Sequence, residues 1–268
     1  MIETAKFLAV PGSNIELTSL ASKEQVGLSE HEGKQLKQVL AKRLRKLQEL
    51  LYASRQKGLL VVFQGLDASG KNSTIRRSFQ TLNPTNIRVK SFTAPTRREK
   101  QQDFLWRIHS HAPRKGMISI FNRSHYEDVV TARVRKLVDE SLWSQRFKHV
   151  NAFEQMLAEE GTIIIKFYLH ISKDYQKQRL QRRLNRKDKL WKFDPADIED
   201  RQHWEDYMQA YNDAIQHCST PWAPFYIVPS ETRWYRDLIV MQTLVNALEK
   251  LDMSYPDVDF DPSKISLR

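Results

Sequence analysis

GLDASGKN, residues 65–72, follows the apolar run LLVVFQ and opens a helix-compatible run, KNSTIRRSFQTL. Its glycines and lysine fit the spacing G-x-x-x-x-G-K of a phosphate-binding loop between a strand and a helix. In such a loop, backbone N–H groups and the helix N-terminus attract phosphate, and the lysine reaches the terminal phosphates. The alternative is a turn with a structural role alone. We predict a phosphate cradle formed by Gly65, Ala68, Ser69, Gly70, Lys71, Asn72 and Ser73.

Two residues of this loop depart from the usual pattern. Asn72 stands where a Ser or Thr ordinarily binds magnesium, and on a helix Ser73 and Thr74 point about 100° and about 200° away from that direction. Asp67 would repel a phosphate by about 4 kcal/mol at about 4 Å and an effective dielectric of about 20. A divalent cation between the two would reverse the sign, so our hypothesis is that Asp67 holds Mg²⁺, directly or through water. The alternative is that Asp67 caps the following turn.

Short β-like runs alternate with helical stretches after Gly58. We predict strands at 59–63, 87–92, 117–121, 162–171 and 224–228, and helices near 70–82, 97–111, 125–160, 172–218 and 232–251. This alternation predicts an α/β fold with a parallel sheet flanked by helices, in which ligands bind at the carboxyl ends of the strands. Before it, residues 32–53 have leucines three or four apart, which predicts an amphipathic helix. We expect residues 1–55 to form an N-terminal extension and residues 56–268 to form the main domain.

The chain has 43 Lys and Arg against 32 Asp and Glu, a net charge of +11. Such an excess predicts a polyanionic partner, which could be nucleic acid, an anionic membrane or a chain of phosphates; the alternative is a protein that is simply basic. The longest apolar stretch, 162–171, contains Lys166 and is too short to span a bilayer. The N-terminus lacks the pattern of a secretory signal, and the single Cys218 excludes an intrachain disulfide. We expect a cytoplasmic protein.

A second polar cluster, FNRSHYED at 121–128, follows the third predicted strand. Phosphoryl-transfer enzymes with this type of loop place an acid at the end of another strand to complete the metal site. Here Asn122 occupies that position, with Arg123 beside it. Glu127 and Asp128 follow at the start of a predicted helix, where first-turn acids are also favoured by the helix dipole.

The run RLQRRLNRKDKLWK, residues 179–192, is strongly basic and leads into the Pro-containing segment KFDPADIEDR. Such a run is often only a solvated helix face. Cations that close over transferring phosphates are a recurring need of phosphoryl transfer, so we predict a helical lid at about 180–200. The eight His show no metal-ligand spacing, and the helically spaced Trp191, Trp204, Tyr207 and Tyr211 are predicted to be core residues.

Six segments together resemble the family-2 polyphosphate kinases from about residue 30 onward: GLDASGKNSTI, FTAPT (92–96), FLWRIH (104–109), FNRSHYEDVV (121–130), LWKFDPADIEDRQHWEDYMQAYNDAI (190–215) and PWAPFYIVPSETRWYRDLIV (221–240). The resemblance implies a thymidylate-kinase-like P-loop fold. It also implies phosphoryl transfer from inorganic polyphosphate to a nucleotide. Asn72, Ser73 and His125 differ from the commoner residues at their positions in the family.

The resemblance also implies roles for residues. Asp67 and Lys71 belong to the first phosphate motif, and Asn122, Arg123 and Glu127 belong to the second. Glu127 is typical of members that use AMP as well as ADP. The expected catalytic residues are therefore Asp67, Lys71, Arg123 and Glu127, with Asp67 binding Mg²⁺. The expected substrate-binding residues outside the cradle are Asn122, Arg133, Arg182, Arg183, Arg186, Lys187 and Lys189.

The sequence thus predicts a reversible transfer of the terminal phosphoryl group of polyphosphate to AMP or ADP. Positioning and charge neutralisation would supply the rate. Its expected partners are polyphosphate, AMP, ADP and ATP, with no nucleic acid and no membrane, and we expect a homo-oligomer. The alternatives are an ATP-dependent nucleoside monophosphate kinase and a P-loop module that binds nucleic acid without catalysis.

Overall fold

The structure is a computed structural model that describes residues 2–25 and 27–266. Over these residues, five parallel strands form one sheet in the order β2-β3-β1-β4-β5. The strands are β1 (Gly58–Gln64), β2 (Ile87–Ser91), β3 (Ile118–Asn122), β4 (Thr162–His170) and β5 (Phe225–Pro229). The predicted α/β class and all five predicted strands are confirmed.

Helices cover both faces of the sheet. They are α1 (Glu30–Ser54), α2 (Lys71–Phe79), α3 (Trp106–His109), α4 (Thr131–Val134), α5 (Glu140–Glu159), α6 (Lys173–Leu184), α7 (Ala196–Gln202), α8 (Trp204–Cys218) and α9 (Arg233–Glu249). Short 3₁₀ turns connect several of them, including His125–Asp128 and Lys187–Lys192.

The apolar runs become strands because both faces of the sheet are buried. Successive side chains of a strand point to opposite faces, and in β1 Leu60 and Val62 belong to one core while Val61 and Phe63 belong to the other. The first core is completed by apolar residues of α5 and α8, and the second by those of α1, α2 and α9. The sheet is therefore the middle of three layers, and its carboxyl edge is left for ligands.

The predicted amphipathic helix is confirmed as α1, which packs on α9. It begins with a capping box, in which the hydroxyl of Ser29 accepts from the N–H of Glu32 and the Glu32 carboxylate accepts from the N–H of Ser29. At the contact with α9, a Cβ on Gly33 would lie 2.5 Å from the ring of Trp234. Glycine therefore allows the two helices to approach closely.

The segment before α1 lies across the edge strand β5. The N–H of Ala9 donates to the carbonyl of Phe225 (2.9 Å), and Leu8 forms an antiparallel bridge with Tyr226. Further along, the fully buried Leu17 donates its N–H to Oδ1 of Asn212 in α8 (2.9 Å). The segment has no sequence period because short 3₁₀ turns and single contacts hold it, not a regular element.

Four sequence predictions differ from the structure. The stretch 97–111 contains only a 3₁₀ turn, Glu99–Gln101, and the four-residue α3. The carboxylate of Asp103 accepts the N–H groups of the two residues at the start of α3, so this helix begins late in the stretch. Residues 125–160 form a 3₁₀ turn and two helices instead of one helix, and residues 172–218 form three helices and a 3₁₀ turn instead of one helix. Trp191 is 76% exposed and is not a core residue, whereas Trp204, Tyr207 and Tyr211 are buried. Within the described ranges, the helices lack the length and apolar character needed to cross a bilayer.

Candidate active site

The phosphate loop runs from the end of β1 to the start of α2 with three residues at positive φ. Gly65 has φ 137°, Ala68 has φ 67° and Gly70 has φ 102°. A Cβ on Gly65 would lie 2.8 Å from the carbonyl oxygen of Leu169, so glycine is required where the loop passes β4. The left-handed conformation of Ala68 is unfavourable for a residue with a side chain, and such strain is often found where a loop grips a ligand. The loop has the shape that the G-x-x-x-x-G-K spacing predicts.

Lys71 lies inside this loop and is only 8% exposed. Its Nζ donates to the carbonyl oxygens of Gly65 (2.5 Å) and Leu66 (3.2 Å). Burial lowers the pKa of Lys71 to about 8, although the nearby carboxylate of Asp67 favours the charged form. The ammonium is therefore held beside the bend of the loop, where a phosphate can replace the carbonyl oxygens as its partner.

Arg123 joins the two polar motifs. Its Nη2 donates to Oδ1 of Asp67 (2.7 Å), and its Nη1 donates to Oε2 of Glu127 (3.2 Å). The negative charge of Glu127 raises the pKa of Arg123 above its ordinary value. Burial works in the opposite direction, and Asp67 adds to the increase. Burial works against the charged form of Asp67, but Lys71 and Arg123 outweigh it and hold its pKa below the usual range. All four expected catalytic residues thus belong to one network of charges.

Two amides face each other at the positions where a metal ligand is usual in each motif. Nδ2 of Asn122 donates to Oδ1 of Asn72 and to Oγ of Ser91 (3.3 Å). Oδ1 of Asn122 is buried and has no hydrogen-bond donor within residues 2–25 and 27–266. The hydroxyls of Ser73 and Thr74 both donate to the carbonyl oxygen of Gly70.

The oxygen atoms of this region fit a hard divalent cation. Among the described residues, no three His, Cys, Asp or Glu side chains are grouped so that they could hold a metal ion by themselves. Mg²⁺ needs no such cage, because it keeps several waters and binds through one or two carboxylates together with substrate phosphates. The carboxylate of Asp67 and the unpartnered amide oxygen of Asn122 are the donors that would serve such an ion.

Helix α6, which leads into the predicted lid, lies beside the loop and carries one arginine near it. In α6, Nε2 of Gln176 donates to the carbonyl oxygen of Asp67 (3.1 Å). In the last turn of this helix, Arg183 pairs with Asp197 of α7 (2.9 Å) and favours the charged form of Asp67. Burial and the charge of Asp67 raise the pKa of Asp197 to about 6. The start of α6 and the start of α7 therefore enclose the carboxylate side of the loop.

Other expected substrate-binding residues lie outside this network. Arg186 and Lys189 pair with Asp188 within the lid, while Arg182 and Lys187 are exposed. Arg133 donates to Oδ2 of Asp213 in α8 (2.5 Å) and lies 4.2 Å from the ring centroid of Trp143. The structure thus brings Arg183 to the loop and leaves these five cations on the surrounding surface.

Sequence reasoning missed a buried arginine beneath the loop. Arg236 of α9 is 1% exposed, pairs with Asp237 (3.0 Å), and donates from Nη1 to the carbonyl oxygen of Ser69 (3.3 Å). Asp237 also accepts from Arg77 of α2 (2.5 Å). In the sequence, TRWYRDLIV has the composition of an ordinary helix, and only the packing of α9 against α2 shows which of its charges is buried.

The arrangement places Lys71, Arg123 and Arg183 around a strained loop, with the carboxylates of Asp67, Glu127 and Asp197 among them. Such a site can neutralise and align phosphate groups and needs no strong general base, since a phosphate oxygen is already anionic.

Comparison with known proteins agrees with this chemistry. The profile of the family described as polyphosphate kinase 2 matches residues 27–256. The AMP/ADP-polyphosphate phosphotransferase of Meiothermus ruber is 52% identical over 227 residues, 85% of each chain. The ADP-polyphosphate phosphotransferase of Rhodopseudomonas palustris is 37% identical over 96% of this chain and 93% of its own. The crystal structure of polyphosphate kinase 2 from Arthrobacter aurescens TC1 superposes with a TM-score of 0.91, at 38% identity over 94% of this chain and 91% of its own.

Proposed function

This chain belongs to the polyphosphate kinase 2 family, and from that premise we propose that it moves the terminal phosphoryl group of inorganic polyphosphate onto AMP and ADP, reversibly. It is a polyphosphate-dependent nucleotide kinase by family. The relative from Meiothermus ruber bears both acceptors in its name and shares about half of its residues with this chain, which supports AMP as well as ADP here.

The observation that carries the proposal is the bridge of Arg123 between Asp67 and Glu127, beside Lys71. It puts two fixed cations at the carboxyl edge of the sheet, where ligands of such folds bind. We assign Lys71 and Arg123 to the moving phosphoryl group, whose charge is spread over its oxygens in the transition state. Removing one such donor typically costs about 100-fold to 1,000-fold in rate.

Phosphotransferases of this kind use a divalent metal, and we propose that it is Mg²⁺ held by Asp67 together with substrate phosphates. When bound, it neutralises charge between neighbouring phosphates. Arg123 already holds the side chain of Asp67 and Gln176 of α6 holds its carbonyl, so Asp67 offers a carboxylate oxygen without reorganisation.

The lid residues are assigned to the donor. Arg182 and Lys187 are exposed, and Arg186 and Lys189 share the exposed Asp188 as their ion-pair partner, so all four can turn to a long anion at little cost. Arg183 and Arg133 are tied to Asp197 and Asp213 and would have to exchange these partners for phosphate. The remaining cradle residues, Gly65, Ala68, Ser69, Gly70, Asn72 and Ser73, would bind phosphate through the loop and the start of α2.

Further parts of the proposal rest on sequence. We place the protein in the cytoplasm as a homo-oligomer without nucleic-acid or membrane partners, and we divide it into an extension at 1–55 and a kinase domain at 56–268 with its lid at about 180–200.

One assay tests the function. Pure protein is incubated with AMP, Mg²⁺ and polyphosphate in the absence of ATP, and the nucleotides are separated. We expect ADP and then ATP. An ATP-dependent nucleoside monophosphate kinase would form product only when ATP replaces polyphosphate, and a module that merely binds nucleic acid would form none under either condition.

A further inference from the structure

Gln64 is the last residue of β1 and the residue directly before the phosphate loop. Its side chain is fully buried although it is polar, and it lies between Ser124 of the second motif and Tyr211 of α8. A buried amide must satisfy its donors and acceptors or destabilise the fold. The identity of its partners therefore shows what this residue does.

The neighbours of Gln64 fix the orientation of its amide. With Nε2 facing Glu127 and Tyr211, it donates to Oε1 of Glu127 (3.1 Å) and to the Tyr211 hydroxyl (3.1 Å). Oε1 of Gln64 then accepts from the hydroxyl (3.0 Å) and the N–H (3.1 Å) of Ser124. In the opposite orientation, the amide oxygen would face the Glu127 carboxylate, so we assign the first orientation.

Glu127 then has protein donors on both of its oxygens. Oε1 accepts from Gln64, while Oε2 accepts from Arg123 (3.2 Å) and from the hydroxyl of Thr131 (2.9 Å). The carboxylate is only 15% exposed. A carboxylate engaged on both oxygens is held in one orientation, and that orientation sets the direction in which Arg123 extends towards Asp67.

We propose that Gln64 is a positioning residue that locks the Glu127 carboxylate and thereby aims Arg123 across the phosphate loop. The inference rests on the proposed function and deepens it, because it gives Glu127 the task of holding Arg123. β1 thus contributes to catalysis through its last side chain as well as through the loop that follows it.

A double-mutant cycle tests whether Gln64 acts through Glu127. Gln64→Leu is expected to lower kcat about tenfold to 100-fold, since small misplacements of catalytic groups have effects of this size, with a smaller change in KM for polyphosphate. In the background of Glu127→Gln, the same substitution is expected to change kcat less than about twofold, because coupled residues are not additive. If Gln64→Leu lowers kcat by the same factor in both backgrounds, the inference is wrong.

Gln48 provides a matched control. It is another buried glutamine, which lies in α1 and exchanges hydrogen bonds with Asn83 after the end of α2 (2.8 and 3.0 Å). Gln48→Leu removes a comparable pair of hydrogen bonds and is expected to lower thermal stability while leaving kcat unchanged. Equal losses of kcat in the two variants would assign the effect of Gln64 to stability alone and overturn the inference.

Gln64→Glu keeps the shape of the side chain and serves if the leucine variant does not fold. A buried carboxyl beside Glu127 is protonated at moderate pH and can donate to Glu127 as the amide does. Ionisation of this carboxyl at higher pH would place a second negative charge beside Glu127. The other titratable groups that face Glu127 are Arg123, Lys71, Tyr211 and Asp128. The ratio of its kcat to that of the wild type is expected to fall from pH 6 to pH 9, and parallel profiles would contradict the inference.

A readout without turnover separates this inference from the proposed function. The guanidinium NMR signals of Arg123, identified by their loss in Arg123→Lys, are expected to be sharp in the wild type and in Gln48→Leu, and broadened in Gln64→Leu. Unchanged signals in Gln64→Leu would overturn the positioning role. If the wild type instead fails to use polyphosphate while the signals broaden as expected, the proposed function fails and the positioning role of Gln64 stands.

Discussion

At the scale of single residues, the buried ammonium of Lys71 makes the free enzyme sensitive to pH. Burial lowers its pKa to about 8, so the lysine is charged below that pH and neutral above it. We expect kcat/KM, which reports the free enzyme, to fall as pH rises through about 8. Bound phosphates favour the charged form, so kcat at saturation should hold to higher pH.

Lys71→Ala checks this assignment. It is expected to lower kcat about 100-fold or more, with unchanged folding by circular dichroism, and its residual activity should lack the fall near pH 8. Lys46→Ala, which removes an exposed lysine paired with Glu49, is the control and should retain the wild-type profile. A fall near pH 8 that persists in Lys71→Ala would show that another group titrates.

Gly70 is required by the arginine beneath it as well as by its backbone. It has φ 102°, and a Cβ there would lie 2.3 Å from Nη1 of Arg236, which Asp237 holds in place. Gly12 has φ 77° with nothing within 4 Å of its Cβ position, so Gly12→Ala carries backbone strain alone. We expect Gly12→Ala to lower the free energy of unfolding by about 1–2 kcal/mol and Gly70→Ala to lower it by about 1–3 kcal/mol more. Only Gly70→Ala is expected to lose activity. If denaturant unfolding shows the same loss of unfolding free energy in both variants, the side chain of Arg236 moves aside to accommodate the new methyl group.

The residues of the site differ in how well sequence predicts them. The loop follows from motif spacing, because phosphate chemistry requires those residue types at those positions, whereas the roles of Arg123 and Glu127 came from the resemblance to the polyphosphate kinases. Gln64, Asp197 and Arg236 could not be found in this way, since their roles depend on which chain segments become neighbours in the folded sheet and lid. A glutamine at the end of an apolar run has no local signal that separates it from a surface residue.

At the scale of elements, a buried ion pair joins β4 to α5. Nζ of Lys166 donates to Oε2 of Glu154 (2.5 Å), to the Tyr126 hydroxyl (2.8 Å) and to the carbonyl of Cys218 (2.6 Å). The lysine that interrupts the apolar run at 162–171 is thus satisfied by three partners. Burial favours the neutral acid, but Lys166 and His125 hold the pKa of Glu154 below its usual value. This cluster underlies the turn His125–Asp128 that carries Glu127.

Breaking the pair on one side should be costly. Glu154→Ala leaves the buried charge of Lys166 without its partner, and we expect the free energy of unfolding to fall by about 3–5 kcal/mol. Adding Lys166→Met should recover much of this loss, because no buried charge then remains. The exposed pair of Lys46 and Glu49 is the comparison, where removing one partner should cost less than about 1 kcal/mol. Additive losses in the double variant, measured by denaturant unfolding, would contradict this account.

Strands and long helices were predictable because their periods are local. The apolar runs match the five strands within about two residues, and the leucine spacing matches α1. The bounds of the helix within residues 97–111 were not predictable, because a side-chain cap such as Asp103 sets where a helix begins without changing the composition of the segment.

At the scale of the whole molecule, the net charge of +11 should make donor binding depend on salt. By analogy with single-stranded nucleic acids, log K for long polyphosphate should fall with log salt at a slope of about −0.7 per contact. The double variant Arg182→Ala, Lys187→Ala should make the slope shallower by about 1.4. Titration calorimetry at several salt concentrations measures it. The control variant Lys42→Ala, Arg45→Ala removes two exposed cations of α1 and should leave the slope unchanged. If both double variants change the slope equally, the lid cations do not bind the donor more closely than other surface cations do.

The strand order and the path of the N-terminal segment lay beyond sequence reasoning. Alternating elements predict a parallel sheet but leave open which strands are neighbours, and the contacts of Ala9 and Leu17 with the main body join positions about 200 residues apart.

The facing amides of Asn72 and Asn122 alter the electrical balance of the cleft. Enzymes that use ATP place a hydroxyl and a carboxylate at these positions, and their donor brings three phosphates. A polymeric donor brings a repeating row of negative groups, and every extra acid in the protein would repel that row along with the unit being moved. The neutral oxygen of Asn122 adds no charge of this kind, and the acids that do lie beside the loop, Asp67 and Glu127, are both balanced by Arg123.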